Sequence, residues 1–120
     1  MALIEKFEDL FARQEARQLT QQMYSINNSG HFSRVFGLKD QIRRAAVSTM
    51  ANIAEGFDCE SKVEFARFLD IARRSAVEVQ ALLYVAMDAG YIGPDEFEAY
   101  YRQAAKTKGL IGSFKKSLKK

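Results

Sequence analysis

The stretch Ser61-Lys62-Val63-Glu64-Phe65-Ala66-Arg67-Phe68-Leu69-Asp70-Ile71-Ala72-Arg73-Arg74-Ser75-Ala76-Val77-Glu78-Val79-Gln80-Ala81-Leu82-Leu83-Tyr84-Val85-Ala86-Met87-Asp88-Ala89-Gly90 decides the fold. Within it Phe65, Leu69, Ala72, Ala76, Val79, Leu83 and Ala86 step by 4, 3, 4, 3, 4 and 3 residues. That spacing returns apolar side chains to one helix face and makes a heptad-like seam, which packs at shallow angles in bundles. Ser61 followed by Glu64 reads as a capping box, each side chain satisfying a free backbone N–H. Gly90 ends the helix.

On the C-terminal side, Gly93-Pro94-Asp95-Glu96 opens another helix, with Pro at a first helical position and acids opposing the helix dipole. Its seam is Phe97, Tyr100, Ala104, Thr107, Ile111, Phe114 and Leu118. On the N-terminal side, Leu38, Ile42, Ala45, Ala46, Thr49, Met50 and Ile53 mark a helix that Gly56 caps. A first helix stops at Asn27-Asn28-Ser29-Gly30, a turn-forming cluster. No alternating strand flanked by hairpin turns occurs. The expectation is one all-α domain over residues 1–120, with helices at 3–26, 38–54, 62–89 and 94–118. Short links make neighbours antiparallel, so the topology is an up-down-up-down four-helix bundle.

Helix 1 departs from a single stripe. Phe7, Leu10 and Phe11 lie on one side, and Ala16, Leu19, Met23 and Ile26 on roughly the other. Helix 3 adds Phe68, Val77 and Val85 off its seam. A second apolar face points to a homo-oligomer, against the alternative of drift along a long helix.

Composition excludes much chemistry. The chain has 120 residues, one Cys and one His, so neither a disulfide framework nor a four-ligand structural zinc site can form. One His also cannot supply the two Glu-x-x-His motifs of a di-iron bundle. No phosphate loop, nucleophile elbow or HExxH is present. His31 sits in the Gly30–Gly37 connection without positioned partners, and Cys59 lies between Asp58 and Glu60, which disfavour a thiolate. No catalytic residue, cofactor or metal is expected. The longest apolar run, Ala81–Met87, is far short of the ~20 residues of a membrane span. A cytoplasmic protein that does not enter membranes is the expectation.

The formal net charge of +3 hides a division. Lys106, Lys108, Lys115, Lys116, Lys119 and Lys120 fall within residues 105–120, where no acid occurs, and the remaining 104 residues carry a net of −3. Three readings fit this cationic end: a solvated helix terminus, a site for nucleic-acid phosphates, and a membrane-surface contact. Arg43-Arg44 and Arg73-Arg74 add two basic pairs, whose members splay by 100° around their helices. Asn52 is placed to form a buried, register-fixing hydrogen bond. Glu55 stands where the helix dipole disfavours an acid, which suggests either a basic partner or a solvated side chain.

The residues Leu38-Lys39-Asp40-Gln41-Ile42-Arg43-Arg44-Ala45-Ala46-Val47-Ser48 and Asn52-Ile53-Ala54-Glu55-Gly56-Phe57 resemble the bacterial four-helix-bundle family named for 23S rRNA intervening-sequence proteins. Glu64-Phe65, Phe68-Leu69, Ile71-Ala72, Ser75, Glu78, Gly90-Tyr91-Ile92, Gly109-Leu110-Ile111 and Ser113 follow at the family's spacing. The likeness covers nearly the whole chain and extends to the Avd accessory proteins of diversity-generating retroelements. Arg74 stands where the family usually has Gly, and Asp58-Cys59 where a basic residue is common. The resemblance implies an up-down bundle assembled as a homopentamer, with no enzymatic activity. For Avd-like members it implies binding of nucleic acid and of a reverse transcriptase through positive surface. The leading expectation is a non-enzymatic, oligomeric accessory or scaffold that binds RNA or DNA through its cationic last helix. The alternatives are a protein-interaction scaffold without nucleic acid, and a small-molecule site using Tyr24, Tyr84 or Glu55.

Overall fold

The apolar seams become the interior of four helices. A computed structural model describes the backbone of residues 2–26 and 36–118, and the side chains of residues 11–26 and 37–118. The helices are α1 (Ala2–Ser25), α2 (Phe36–Phe57), α3 (Lys62–Asp88) and α4 (Pro94–Ser117). No strand occurs among the described residues. Phe7, Leu10, His31, Lys119 and Lys120 lie outside the described side chains.

The ends of α1, α3 and α4 fall within a residue of their expected positions, but α2 begins two residues earlier and ends three residues later than expected. Gly56 does not cap α2, which continues through it to Phe57. Positive φ, the signature of a glycine cap, occurs among the described residues only at Gly90, with φ 80°. What Gly56 supplies is space. A Cβ there would sit 2.7 Å from Cδ1 of Phe65 and 3.0 Å from Cβ of Phe68. The absent side chain lets the end of α2 approach the start of α3.

At Gly90 the Tyr91 N–H donates to Ala86 O at 2.8 Å and the Gly90 N–H to Met87 O at 2.9 Å. These two bonds form a Schellman closure of α3. The Ser61 box is half made. Ser61 Oγ accepts from the Glu64 N–H at 3.1 Å. The Glu64 carboxylate takes Arg67 at 3.1 Å rather than turning back to Ser61. At α4 the other half appears, with the Gly93 N–H donating to Glu96 Oε1 at 3.2 Å.

Each helix packs against two others, in the cyclic order α1, α2, α3, α4, with α4 closing on α1. Between α3 and α4, contacts join the early part of one helix to the late part of the other. Phe65 meets Phe114 with ring centroids 5.0 Å apart, whereas Tyr84 meets Phe97 at 4.8 Å. Thr20 Oγ1 lies 3.3 Å from Ala46 O, and Gln103 Nε2 donates to Glu15 O at 3.0 Å.

The core divides into two clusters. One joins Leu19 and Met23 of α1, and Ile26 just past its end, to Ile42, Val79, Leu83 and Ala104. The other joins Ala12 and Ala16 to Ile53, Phe65, Leu69, Ile111 and Phe114. Between them along the helices stand buried Thr49, Ser75 and Thr107, a polar waist. Both threonine hydroxyls are satisfied within their own helices, by Ala45 O and Gln103 O at 2.9 Å each. Ser48 Oγ and Ser75 Oγ share a hydrogen bond of 2.8 Å across α2 and α3.

On α1 the seam is Ala12, Ala16, Leu19 and Met23, continued by Ile26 just past its end, all buried, and Phe11 faces outward. Val77 and Val85 of α3 are likewise exposed.

Candidate functional site

The cations of α4 divide by what they touch. Lys115 Nζ is 2.7 Å from Asp70 Oδ1, an ion pair that ties α4 to α3. Lys106 Nζ is 3.5 Å from Glu15 Oε2, tying α4 to α1, and Gln103 Nε2 donates to the same carboxylate at 2.8 Å. Lys108 and Lys116 make no ion pair among the described residues.

The two arginine pairs separate onto different sides of the bundle. Arg73 lies beside α4, its Nε 4.0 Å from where a Cβ on Gly112 would be. Arg73 and Arg74 are exposed and make no ion pair among the described residues. Residue steps of 7, 4 and 3 put Tyr101, Lys108, Gly112 and Lys115 on one side of α4. Steps of 3, 4 and 7 do the same for Asp70, Arg73, Val77 and Tyr84 of α3. The contacts of Asp70 with Lys115, Arg73 with Gly112, and Tyr84 with Tyr101 match the two stripes along one face. Arg43 and Arg44 are elsewhere, where α1 meets α2. The Arg43 guanidinium lies 4.4 Å from the Tyr24 ring centroid, and Arg44 pairs with Asp40 at 2.6 Å. The four arginines therefore do not form one patch.

The α3–α4 face carries a feature that periodicity did not reveal. Tyr84, Phe97 and Tyr101 form a mutual ring cluster, with centroids 4.8, 5.4 and 5.2 Å apart. Tyr84 remains 46% exposed. Its phenol ionises above the usual range, chiefly because charge on Tyr101 would oppose it and because the two hydroxyls hydrogen-bond, with lesser effects from burial and Asp88. A shallow hollow of about 280 Å³ adjoins the rings, lined by Phe97, Glu98, Tyr101, Arg102 and Ala105. The available signal was symmetry about the Gly90 turn, since Tyr84 precedes it by six residues and Phe97 follows it by seven.

The Asn52–Gly56 block serves packing. Asn52 Nδ2 donates to Ser48 O at 2.8 Å and to Ser48 Oγ at 3.1 Å, continuing the Ser48–Ser75 link. Ile53 is fully buried in the core. Ala54 lines an apolar groove of about 460 Å³ between α1 and α2, with Arg13, Gln14, Arg17, Met50 and Ala51. Glu55 is exposed and pairs with no cation of the described chain. The Cys59 thiol donates to Glu55 O at 3.4 Å. Partial burial, then the carboxylates of Glu64, Asp58 and Glu55, push its pKa up and keep it protonated.

No cluster of His, Cys, Asp and Glu among the described residues could hold a metal ion. No described helix is long and apolar enough to cross a membrane.

The comparisons agree with this architecture. The family model described as 23S rRNA-intervening sequence protein matches residues 8–113. A solved structure from Bacteroides thetaiotaomicron, a protein of unknown function from the S23 ribosomal protein family, superposes with a TM-score of 0.85 at 22% identity. The match covers 91% of this chain and 98% of that one, and it shows a shared fold. A search among curated proteins returns no match.

Proposed function

The chain belongs to the 23S rRNA-intervening sequence protein family, and on that premise we propose that it is a non-enzymatic, cytoplasmic bundle that binds nucleic acid. The contact surface in this reading is the joint outer face of α3 and α4. One observation carries it: Arg73, Arg74, Lys108 and Lys116 are cations on or beside that face that make no ion pair among the described residues. Unpaired cations attract phosphate oxygens and release counterions when phosphates bind. Lys106 and Lys115 have structural duties instead, so the site is smaller than the tail's charge suggests, and it draws on α3. Arg43 and Arg44 fall outside it.

The test is fluorescence anisotropy with RNA and DNA oligomers at low and moderate salt. Binding should weaken steeply with salt, and changing Arg73, Arg74, Lys108 and Lys116 to Gln should reduce the log–log salt slope by about 3 to 4. Binding that is absent at low salt, or insensitive to salt, refutes the reading.

Self-association is the second element of the proposal, and the α1–α2 face supports it. Its groove is lined in part by Met50, Ala51 and Ala54. Phe11, Val47 and Phe57 are exposed at 41%, 38% and 37%. Arg13 stacks 4.6 Å from the Phe57 centroid, and Glu55 awaits a cation that a second copy would bring. We read the bundle as up-down-up-down and its assembly as the homopentamer that the resemblance implies. In an Avd-like setting a reverse transcriptase would be the further partner. Native mass spectrometry should show a closed oligomer that Ala51→Glu disperses. A monomer at micromolar concentration refutes this element. A pull-down that returns one protein partner regardless of nuclease treatment favours the scaffold alternative.

A further inference from the structure

We propose that Tyr84, Phe97 and Tyr101 form a stacking platform that makes the α3–α4 face select single-stranded over double-stranded nucleic acid. The inference rests on the nucleic-acid reading above and adds which form of nucleic acid is bound.

Three rings gathered at the surface are costly unless something covers them, because exposed apolar area is unfavourable. Tyr84 keeps 46% of its surface exposed although two other rings lie within 5.4 Å of it. The cluster's own packing therefore leaves ring surface open. The hollow beside Phe97 and Tyr101 is lined in part by Ala105, whose small side chain leaves room for a flat group. Arg102, held to Glu98 at 2.8 Å, lines the same hollow.

The rings share their face with the unpaired cations. Lys108 follows Tyr101 by seven residues on one side of α4, about 10 Å along the axis. That is about three stacked nucleotides at ~3.4 Å per step. Arg73 lies one turn further, beside Gly112. A strand whose phosphates follow Lys108 and Arg73 would bring a neighbouring base to the rings. In a duplex the faces of the bases are hidden within the stack, so only phosphates and groove edges would meet the protein. An unpaired strand turns its bases outward, and every base has a π-face to stack. Asp88 and Glu98 beside the rings repel phosphate but not a neutral base. The division into an aromatic end and a cationic end matches the two halves of an unpaired nucleotide.

The experiment uses the full chain, a 12-nucleotide oligothymidylate or oligouridylate, and a 12-base-pair DNA duplex, followed by anisotropy. Wild type should prefer the single strands. Tyr84→Ala should weaken single-strand binding about ten-fold and leave the duplex within two-fold. Tyr84→Trp should restore the single-strand affinity, and its fluorescence should be quenched by the single strands but not by the duplex. Lys108→Gln with Lys116→Gln should weaken both. If Tyr84→Ala weakens neither form, or both equally, the platform is overturned while the cationic reading survives. If wild type prefers the duplex, the platform is likewise overturned. If wild type binds neither form at low salt, both fail. Should Tyr84→Ala not fold, the Tyr84→Trp quenching decides: equal quenching by both forms, or by neither, overturns the proposal.

Discussion

Changing Gly56 and Gly109 separately to Ala distinguishes close approach from chain flexibility. Both glycines lie in helices and neither has positive φ. Each change should therefore gain up to about 1 kcal/mol of helix propensity, less at Gly56 because it is next to the end of α2. At Gly109 nothing lies within 4 Å of the new Cβ, so that gain should appear as added stability. At Gly56 the new Cβ would be 2.7 Å from Phe65 Cδ1 and 3.1 Å from Cε1. The Phe65 ring is held by Phe114 at 5.0 Å and Phe57 at 6.1 Å, so it cannot simply swing away. Overpacking of this kind costs about 1–3 kcal/mol. Gly56→Ala should then be destabilised by about 0–2 kcal/mol, and Gly109→Ala stabilised by about 1 kcal/mol. Urea titration and thermal melting, followed by circular dichroism, read the two changes side by side. For a chain of this size 1 kcal/mol is about 4 °C in Tm. If Gly56→Ala matches Gly109→Ala in sign and size, the helix approach is not limited by Gly56 and the steric argument is wrong.

Further outcomes follow from other contacts. Phe114→Ala removes a fully buried ring and should cost about 3–5 kcal/mol in the same urea titration. The Asp70–Lys115 pair, about one third exposed, should show a coupling of no more than about 1 kcal/mol in a double-mutant cycle with Asp70→Asn and Lys115→Met. The Cys59 thiol should react slowly with an alkylating reagent near neutral pH, since its raised pKa leaves little thiolate until the medium is more alkaline. Glu64→Gln removes the largest of the charges that raise this pKa and should shift the rate profile towards lower pH. A profile unchanged by Glu64→Gln would show that the carboxylate does not act on the thiol.

Much of the fold was legible because its signals are local. The seam from Phe65 to Ala86 needs only spacing, and the Gly90 closure only a glycine after an apolar run. The end of α2 was misread because Gly56 looks the same in sequence whether it supplies positive φ or space. The residues that decide between them, Phe65 and Phe68, belong to the next helix. The candidate site was legible in charge but not in arrangement. Lys106 and Lys115 look like free tail cations until Glu15 and Asp70 are brought beside them from distant positions. Likewise Arg73 and Arg43 are equivalent as half of an Arg-Arg pair, and only the cyclic helix order sends them to different faces. The Tyr84 cluster was hidden because its rings come from two helices and only Phe97 had been placed on a seam.

The polar waist bears on how the helices find their alignment. Aliphatic layers tolerate sliding, because one buried methyl group resembles another. Thr49 and Thr107 do little to prevent it, since each hydroxyl travels with the carbonyl it bonds in its own helix. The lock lies in bonds that cross between helices near the same level, among them Ser48 to Ser75 and Gln103 to Glu15. They join α2 to α3 and α4 to α1, on opposite sides of the bundle, so a shift of either helix pair breaks a hydrogen bond between partly buried groups. A sequence that replaced these four residues with leucine-sized side chains would bury more apolar surface and recognise its own register less well.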